Sequence, residues 1–592
     1  MGKIRKEKIK EFLIGIILFT VICISFYLYV FREYNPIYGI NDDWTLYMVI
    51  SGSYLGYPEP HVNYMMYPLA WMLCQLYSIT SNIPWYGIML QGFVALCGFF
   101  LFFRIYYFFE KGMKRIVFSV LGLLLFLCSH LGIILLIQYT QVGAICAATA
   151  IFWFLSANTK EADWKQYLIK NIPTILLATI ALNIRENTLY MALPIAGMVF
   201  LAKWYAEDRK LSQEAITRYA GFVLCLGVFL GGTVIAHKIA YSSPEWKEYV
   251  EVNNIWTRGV DYYGFPAYEE IEEIVTNNGM TREDYEIGLF YQTLYRGDME
   301  YSEFLKVITD VAKEKYDEHN PLGVKWKEAN KAIKSWLTRE SIRPLNLVAV
   351  LLFVMVLCLV ICSKNKYAMT ALLCYLFGRF FAWYYLLFAG RFPERIAQGL
   401  FSMDMMTLLG FILYFKPWKY VKFLKLKSAQ MAGSIFVAVT LMVFLWNGLQ
   451  RMEQITSHVE TFQDRWYGLK QYCSQHLENR YFLSGGSQTL YYFSDHIFET
   501  DSIGKVQNFY TNTNFDSPSP NYYDMMGAEY GTYLGDDMIE QENNYWIYEK
   551  GYFTEDVSIV KFYQSEYENF SYELVDVFNT ETSSFEVYRF TK

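Results

Sequence analysis

The chain has 592 residues, of which 54% are hydrophobic and 18% are charged, and its formal net charge is −7. A soluble protein of this length needs more charged side chains to cover its surface. The composition therefore excludes an ordinary soluble protein and favours a membrane protein.

Long apolar runs recur along the chain. A run of about 18 or more apolar residues is long enough to cross the roughly 30 Å hydrocarbon core of a bilayer as an α-helix. The sequence predicts a polytopic α-helical membrane protein with about eleven transmembrane helices. In chain order they are 11–31, 85–109, 116–137, 140–156, 171–184, 188–203, 215–241, 343–363, 367–388, 396–415 and 431–449.

Basic residues indicate the orientation of these spans, because Lys and Arg near span ends are retained on the cytoplasmic side. Five basic residues lie between residues 3 and 10, and every second connection after that is also basic. The pattern predicts a multi-pass protein of the cell membrane with its N-terminus inside and its C-terminus outside. Three long segments then face outward, namely 32–84, 242–342 and 450–592.

The predicted topology divides the chain into a membrane module, residues 1–449, and an extracytoplasmic α/β domain, residues 450–592. The outer segment 242–342 is expected to be mostly helical, with one helix over 303–316 and a capping box between Thr281 and Asp284.

The C-terminal segment is acidic and rich in short β-forming runs. It contains 9 basic and 23 acidic residues, which excludes nucleic acid as a natural partner. A helical stretch near 452–478 comes first. Strands are predicted over 480–483, 545–548, 572–578 and 585–590.

Two adjacent carboxylates, Asp42 and Asp43, lie about ten residues beyond the first span, in the sequence Asn41-Asp42-Asp43-Trp44. Acids just outside a span are placed to act as a general base on a membrane-bound substrate. The alternative is that residues 41–43 cap a helix over 44–51. Both interpretations can hold. Two adjacent side chains point into the same site only in a turn or at a helix start, and capping also places these residues at a helix start.

A short apolar stretch, residues 64–77, follows the acids and is predicted to lie along the membrane surface. The order of elements is a first span, an acidic pair, a surface helix introduced by Pro68-Leu69-Ala70-Trp71, and a second span. This order resembles the GT-C membrane glycosyltransferases, which include protein O-mannosyltransferases and the aminoarabinose transferase of lipid A.

The resemblance implies that a sugar moves from a polyprenyl-phosphate carrier to an acceptor hydroxyl at the outer face of the cytoplasmic membrane, with inversion. By position, Asp42 or Asp43 would be the base. We favour Asp42, with Asp43 orienting the acceptor or helping to bind a cation. The acceptor would be a glycan, a lipid or a protein. No cofactor is certain, and a divalent cation beside Asp42 and Asp43 is left open.

A departing phosphate needs cationic partners at the outer ends of the spans. The candidates are Arg185 and its neighbour Glu186, then Arg391 and Arg395. The alternative for these arginines is a contact with lipid headgroups or with a nearby acid. Two further substrate-binding candidates are His61, which could equally be a structural hydrogen-bonding residue, and Arg258.

Two other classes of protein compete with the enzyme. A transporter or flippase of lipid-linked sugars usually shows internal repeats and charges near the bilayer midplane. This chain has no clear repeat and gathers its notable charges at the outer face. An assembly scaffold would predict that Asp42 and Asp43 are dispensable.

Overall fold

The computed structural model describes residues 2–592 with the exception of 40, 110–111, 209, 211, 290–291, 421–426, 484–495, 501–507 and 512–518. Some side chains within its helices and strands are also left undescribed. They are those of 2–6, 8, 41, 420, 427–441, 444–445, 457–458, 461–462 and 511.

Nine helices within the described residues are long and apolar enough to cross a membrane. With elements numbered in chain order, they are α1 (Gly2–Glu33), α4 (Trp85–Phe108), α7 (Tyr139–Ser156), α8 (Trp164–Ile184), α9 (Glu186–Glu207), α10 (Gln213–Ala240), α16 (Leu345–Ser363), α17 (Lys366–Phe388) and α18 (Glu394–Phe415). α7 is the most enclosed, with 89% of its apolar window buried, and α18 follows with 78%. These two helices form the centre of the bundle.

One of the eleven predicted spans differs from the structure at its C-terminal end, and another consists mostly of residues whose side chains are not described. The predicted span 116–137 is divided into α5 (Met113–Ser129), α6 (Leu131–Leu135) and strand β2 (Leu136–Ile137). The division occurs because the last residues of this run extend to pair with another strand. The predicted span 431–449 is helical as part of α19 (Lys427–Ser474), but most of its side chains lie outside the described residues.

The first connecting segment contains β1 (Ile37–Tyr38), α2 (Asn41–Ser51) and α3 (Tyr67–Ile79). α3 has Pro68 in its first turn, and it buries one face through Leu69 and Leu73 while exposing Trp71 and Met72. Thirteen residues are too few to cross a bilayer, so this two-faced helix fits the surface position expected from the sequence.

The segment between α10 and α16 is almost entirely helical, as the sequence predicts. It contains α11 (Pro244–Arg258), a π-helical turn (Gly259–Tyr263), α12 (Tyr268–Asn277), α13 (Arg282–Gly288), α14 (Tyr301–His319) and α15 (Leu322–Thr338), with 3₁₀ turns at Gln292–Leu294 and Glu340–Ile342. The predicted capping box is confirmed, since Thr281 and Asp284 bond each other's backbone N–H groups.

The C-terminal region forms a five-stranded sheet in the order β4-β3-β5-β7-β6. The strands are β3 (Arg480–Leu483), β4 (Phe509–Thr511), β5 (Asn544–Glu549), β6 (Ser571–Asn579) and β7 (Ser584–Thr591), and the helices are α20 (Pro520–Met526), α21 (Gly535–Glu540) and α22 (Ser558–Glu566). β3 pairs in parallel with β4 and β5, and β7 pairs antiparallel with β5 and β6. The four predicted strands are confirmed, and β4 is an addition.

The C-terminal region packs directly on the acid-bearing segment. The ring of Trp44, next to Asp43, lies 5.5 Å from that of Trp466 and 6.4 Å from that of Phe509. The hydroxyl of Tyr57 donates to Asp524 at 2.6 Å. α2 is therefore held between the membrane helices and the sheet region.

Candidate active site

A two-residue pair of parallel strands brings the two helices of the site together. β1 leads into α2 and β2 leads into α7, and the two strands are aligned residue for residue. Because they run in the same direction, the first turns of α2 and α7 lie side by side. Gly39 permits this approach, since a Cβ there would lie 2.9 Å from the carbonyl oxygen of Leu136. The pairing therefore places Asp42 and Asp43 against the start of the most enclosed span.

Asp43 is completely buried, and its Oδ1 atom accepts two hydrogen bonds. The Tyr86 hydroxyl donates one at 2.8 Å, and the Tyr139 backbone N–H donates the other at 3.0 Å. Tyr139 is the first residue of α7, so Asp43 satisfies an N–H group that a helix start leaves unpaired. Burial raises the pKa of Asp43 well above its ordinary value, although both hydrogen bonds oppose this shift. Asp43 therefore joins α2 to α7 and is closed off from solvent.

Asp42 keeps part of its surface exposed and faces positive charges. Its Oδ2 atom accepts a hydrogen bond from the Tyr139 hydroxyl at 3.3 Å. Burial raises the pKa of Asp42, while the positive charges of Arg395, Arg185 and Arg391 act in the opposite direction, Arg395 most strongly. The net shift makes this carboxylate more basic than an ordinary aspartate, which suits a group that takes up a proton.

The three arginines reach Asp42 from two parts of the chain. Arg185 is the residue between α8 and α9, where the backbone is extended. Arg391 precedes α18 and Arg395 lies in its first turn. Arg391 forms an ion pair with Asp261, whereas within the described residues neither Arg185 nor Arg395 has an ion-pair partner at salt-bridge distance. Two positive charges near Asp42 are thus available to an anion.

Aromatic rings hold Arg185 in place. Its guanidinium carbon lies 4.1 Å from the centre of the Tyr64 ring and 5.6 Å from that of Tyr139. The two rings are nearly parallel, with an interplanar angle of 8° and centres 6.2 Å apart. Attraction between the guanidinium and the rings positions Arg185 without an acidic partner among the described residues and leaves its charge available to an anion.

The backbone at Tyr64 is unusual. Its φ angle is 72°, a left-handed conformation that residues other than glycine seldom adopt. Such conformations cost free energy and occur preferentially at functional sites. Here the conformation accompanies the stacking of the Tyr64 ring against Tyr139 and Arg185.

Asp261 completes the charged cluster from the large helical segment. It lies in the π-helical turn Gly259–Tyr263, a type of irregularity that is frequent at functional sites. Burial raises the pKa of Asp261, and the neighbouring Arg391 opposes this shift. The cluster sets three guanidinium groups against the carboxylates of Asp42 and Asp261. Its excess of positive charge favours a bound anion.

Three residues that the sequence suggested for substrate binding are not brought to Asp42 by the contacts of the described residues. Glu186 accepts a hydrogen bond from Tyr190 on its own helix at 3.4 Å. The His61 ring stacks on Trp246 with centres 4.8 Å apart and contacts Glu59 at 2.5 Å.

Arg258 is exposed on α11 and lines a separate groove of about 500 Å³ between α11 and α14. Asp261, three residues further along the chain, contacts the cluster through its ion pair with Arg391. A role in substrate binding for Glu186, His61 and Arg258 stays a prediction.

Tyr64, Tyr86 and Tyr139 could not be recognised as site residues from the sequence. The chain contains 51 tyrosines, and an aromatic residue near the end of a span is usually explained by the membrane interface. The local pattern shows only that Tyr139 directly precedes the predicted span 140–156. This position points to the site only once the start of that span is known to contact α2.

The residues beside Asp42 fit an anion better than a divalent cation. In the part of the chain that the structure describes, no group of three or more His, Cys, Asp or Glu side chains is arranged to hold a metal ion. Asp43 has a buried Oδ2 atom without a hydrogen-bond partner among these residues, but that atom is enclosed. The three nearby guanidinium groups would also repel a cation.

Comparisons with known proteins give one structural match. No family model matches the sequence, and no curated protein matches it either. The crystal structure of ArnT from Cupriavidus metallidurans bound to undecaprenyl phosphate matches with a TM-score of 0.40 and 10% sequence identity, over 97% of each chain. The similarity spans nearly all of both chains. A TM-score of this size does not support the transfer of residue roles, so those roles rest on the geometry of this site.

Proposed function

We propose that this protein is a membrane glycosyltransferase that moves a sugar from a polyprenyl-phosphate carrier to an acceptor hydroxyl, with inversion at the anomeric carbon. One observation carries the proposal. A partly exposed carboxylate of raised pKa, Asp42, lies among three arginines, two of which have no ion-pair partner within the described residues. Such a site combines a base for a hydroxyl with a cationic region for a departing phosphate.

The reaction is a single displacement. The acceptor hydroxyl attacks the anomeric carbon while Asp42 takes its proton, so that a new carbon–oxygen bond forms on one face of the sugar. The bond from the anomeric carbon to the phosphate oxygen breaks on the other face, and polyprenyl phosphate leaves with the bonding electrons. Arg185 and Arg395 stabilise the negative charge that develops on the phosphate.

Asp42 fits the role of base better than Asp43. A base must come within hydrogen-bond distance of the acceptor hydroxyl, and Asp43 is completely buried with its Oδ1 atom already engaged by Tyr86 and Tyr139. Asp43 supports the site by fixing α2 to α7. The Tyr139 hydroxyl, which donates to Asp42, orients the base.

The basic connections of the chain support a site on the outer face of the cytoplasmic membrane. The ring of Trp44, beside Asp43, contacts that of Phe509 in β4, and the Leu534 backbone N–H of the C-terminal region donates to the Thr293 carbonyl of the helical segment α11–α15 at 2.9 Å. Asp261 of that segment pairs with Arg391, whose charge acts on Asp42. These contacts support a position of the acids, the helical segment and the C-terminal region on one side of the membrane. The sheet region adjoins the site and is positioned to contribute to acceptor binding.

The test is transfer of radiolabelled sugar from the polyprenyl-phosphate pool of membranes that contain the protein. Asp42→Asn is expected to lower the turnover number by roughly 10²- to 10⁴-fold, the usual contribution of a general base. Asp43→Asn, which keeps the hydrogen-bond acceptor, should retain most of the activity. Equal amounts of inserted protein are confirmed for each variant.

Two results would contradict the proposal. Full transfer activity in Asp42→Asn would exclude Asp42 as the general base. Movement of intact lipid-linked sugar across the membrane, without release of polyprenyl phosphate, would assign the protein to the flippases instead.

A further inference from the structure

A row of lysines on α15 takes no part in the proposed reaction. Lys327, Lys331 and Lys334 are spaced by four and three residues, so they share one face of the helix. All three are exposed. Within the described residues, Lys331 has one exposed contact, with Glu328 at 3.8 Å, and the other two lysines have no ion-pair partner.

The opposite face of α15 packs against the membrane bundle. Ala329 is buried there, and Ile333, Trp336 and Leu337 are half-buried against the core. At 3.6 residues per turn the lysine row lies roughly a third to a half of a turn from Ala329, Ile333 and Trp336. Leu337 is at the edge of the apolar face, next to Lys334. The lysines therefore point away from the protein.

Contacts with α17 place the start of α15 beside the end of a candidate membrane span. The ring of Trp326 lies 4.6 Å from that of Tyr384, 5.1 Å from that of Phe388 and 6.1 Å from that of Phe380. These residues occupy the last turns of a membrane-spanning helix, over a length of about 12 Å at 1.5 Å per residue. The start of α15 is therefore level with the end of a predicted span, where the hydrocarbon meets the headgroups.

The surface around α15 is suited to lipid. Leu322, at the start of the helix, is 64% exposed, and Tyr385 on α17 is 74% exposed. Phe377 and Phe381 on α17 are also exposed. Exposed aromatic and aliphatic side chains at this level face acyl chains and headgroups, and lysines near them extend their ammonium groups toward the headgroups.

We propose that α15 is an interfacial helix that binds anionic phospholipid headgroups through Lys327, Lys331 and Lys334. The helix belongs to the segment that carries Asp261, so the leaflet concerned is the one at which Asp42 lies. Charge complementarity supports this occupant, since each lysine near an anionic lipid surface favours binding by roughly fivefold. The inference does not depend on the proposed sugar transfer.

The experiment measures lipid selectivity at the protein surface by electron paramagnetic resonance. The full chain is placed in nanodiscs of phosphatidylcholine that contain either spin-labelled phosphatidylglycerol or spin-labelled phosphatidylcholine. The wild type is expected to immobilise phosphatidylglycerol preferentially, and high salt should weaken the preference. The triple variant Lys327→Gln, Lys331→Gln, Lys334→Gln should lower the selectivity ratio at least about threefold.

A matched control changes the same charge at another place on the same segment. Lys247, Lys306 and Lys313 are exposed lysines of α11 and α14, and their triple substitution to Gln should leave the selectivity unchanged. Replacement of the three α15 lysines by Arg, which keeps the charge, should also leave it unchanged.

Two outcomes would overturn the proposal. One is a selectivity in the α15 Gln variant equal to that of the wild type. The other is an equal loss in both Gln variants, because total charge rather than this helix would then be responsible.

Discussion

Asp43 is predicted to be essential for stability through two buried hydrogen bonds rather than through its charge. Replacement of Asp43 by Ala leaves the Tyr86 hydroxyl and the Tyr139 backbone N–H without an acceptor in a site closed to water. A buried donor left unpaired costs about 1–3 kcal/mol, so the two together should lower the free energy of unfolding by about 2–6 kcal/mol. Replacement by Asn keeps an oxygen at the Oδ1 position and should cost much less.

The assay is unfolding of the purified protein in mixed micelles by titration with sodium dodecyl sulfate, followed by tryptophan fluorescence. The control variant is Asp537→Ala, which removes an exposed acid from the first turn of α21. The reasoning would be refuted if Asp43→Ala were as stable as this control. It would also be refuted if Asp43→Asn were destabilised as much as Asp43→Ala, because the charge would then matter more than the acceptor.

The remaining predictions concern the arginine cluster. Arg395 lowers the pKa of Asp42 more than Arg391 does, so Arg395→Gln should raise that pKa further. The ionised base is then lost at a higher pH as the pH falls. The acidic limb of the profile of kcat/KM against pH should therefore move to higher pH. Arg391→Gln should move the limb less, and an unchanged limb in Arg395→Gln would contradict the assignment. Tyr64→Leu removes the ring that attracts the Arg185 guanidinium, a loss of about 0.5–2 kcal/mol, and should raise the KM for the lipid donor by roughly 2- to 30-fold. Tyr64→Phe keeps the ring and should leave the KM near the wild-type value. Equal KM values for the two Tyr64 variants would exclude this role of the ring.

The membrane bundle and the β-strands of the tail could be predicted because their signals are local. Each span is a continuous apolar run, and the strands β3, β5, β6 and β7 are runs of β-forming residues separated by turn residues. The predicted span 116–137 is helical over most of its length, as α5 and α6, but its predicted end differs from the structure because that end is governed by a distant partner. Residues 136–137 form a strand that pairs with residues 37–38, and the local sequence pattern does not indicate that pairing.

The candidate site was predictable only in part, for the same reason. Asp42, Arg185, Arg391 and Arg395 could be recognised singly, because a charged residue at the end of an apolar run is conspicuous. Their convergence depends on the pairing of β1 with β2 and on the packing of α7 against its neighbours, which are long-range features. The different roles proposed for Asp42 and Asp43 rest on their difference in burial, and adjacent acids in a sequence do not reveal which one is enclosed.

The configuration of the anomeric carbon tests the central claim most directly. The purified protein is supplied with a polyprenyl-phosphate sugar of known configuration and with acceptor-containing membrane extract, and the product linkage is determined by nuclear magnetic resonance. A single displacement assisted by Asp42 predicts a product of inverted configuration that is lost in Asp42→Asn. A product of retained configuration, or no transfer at all from any polyprenyl-phosphate sugar, would contradict the account.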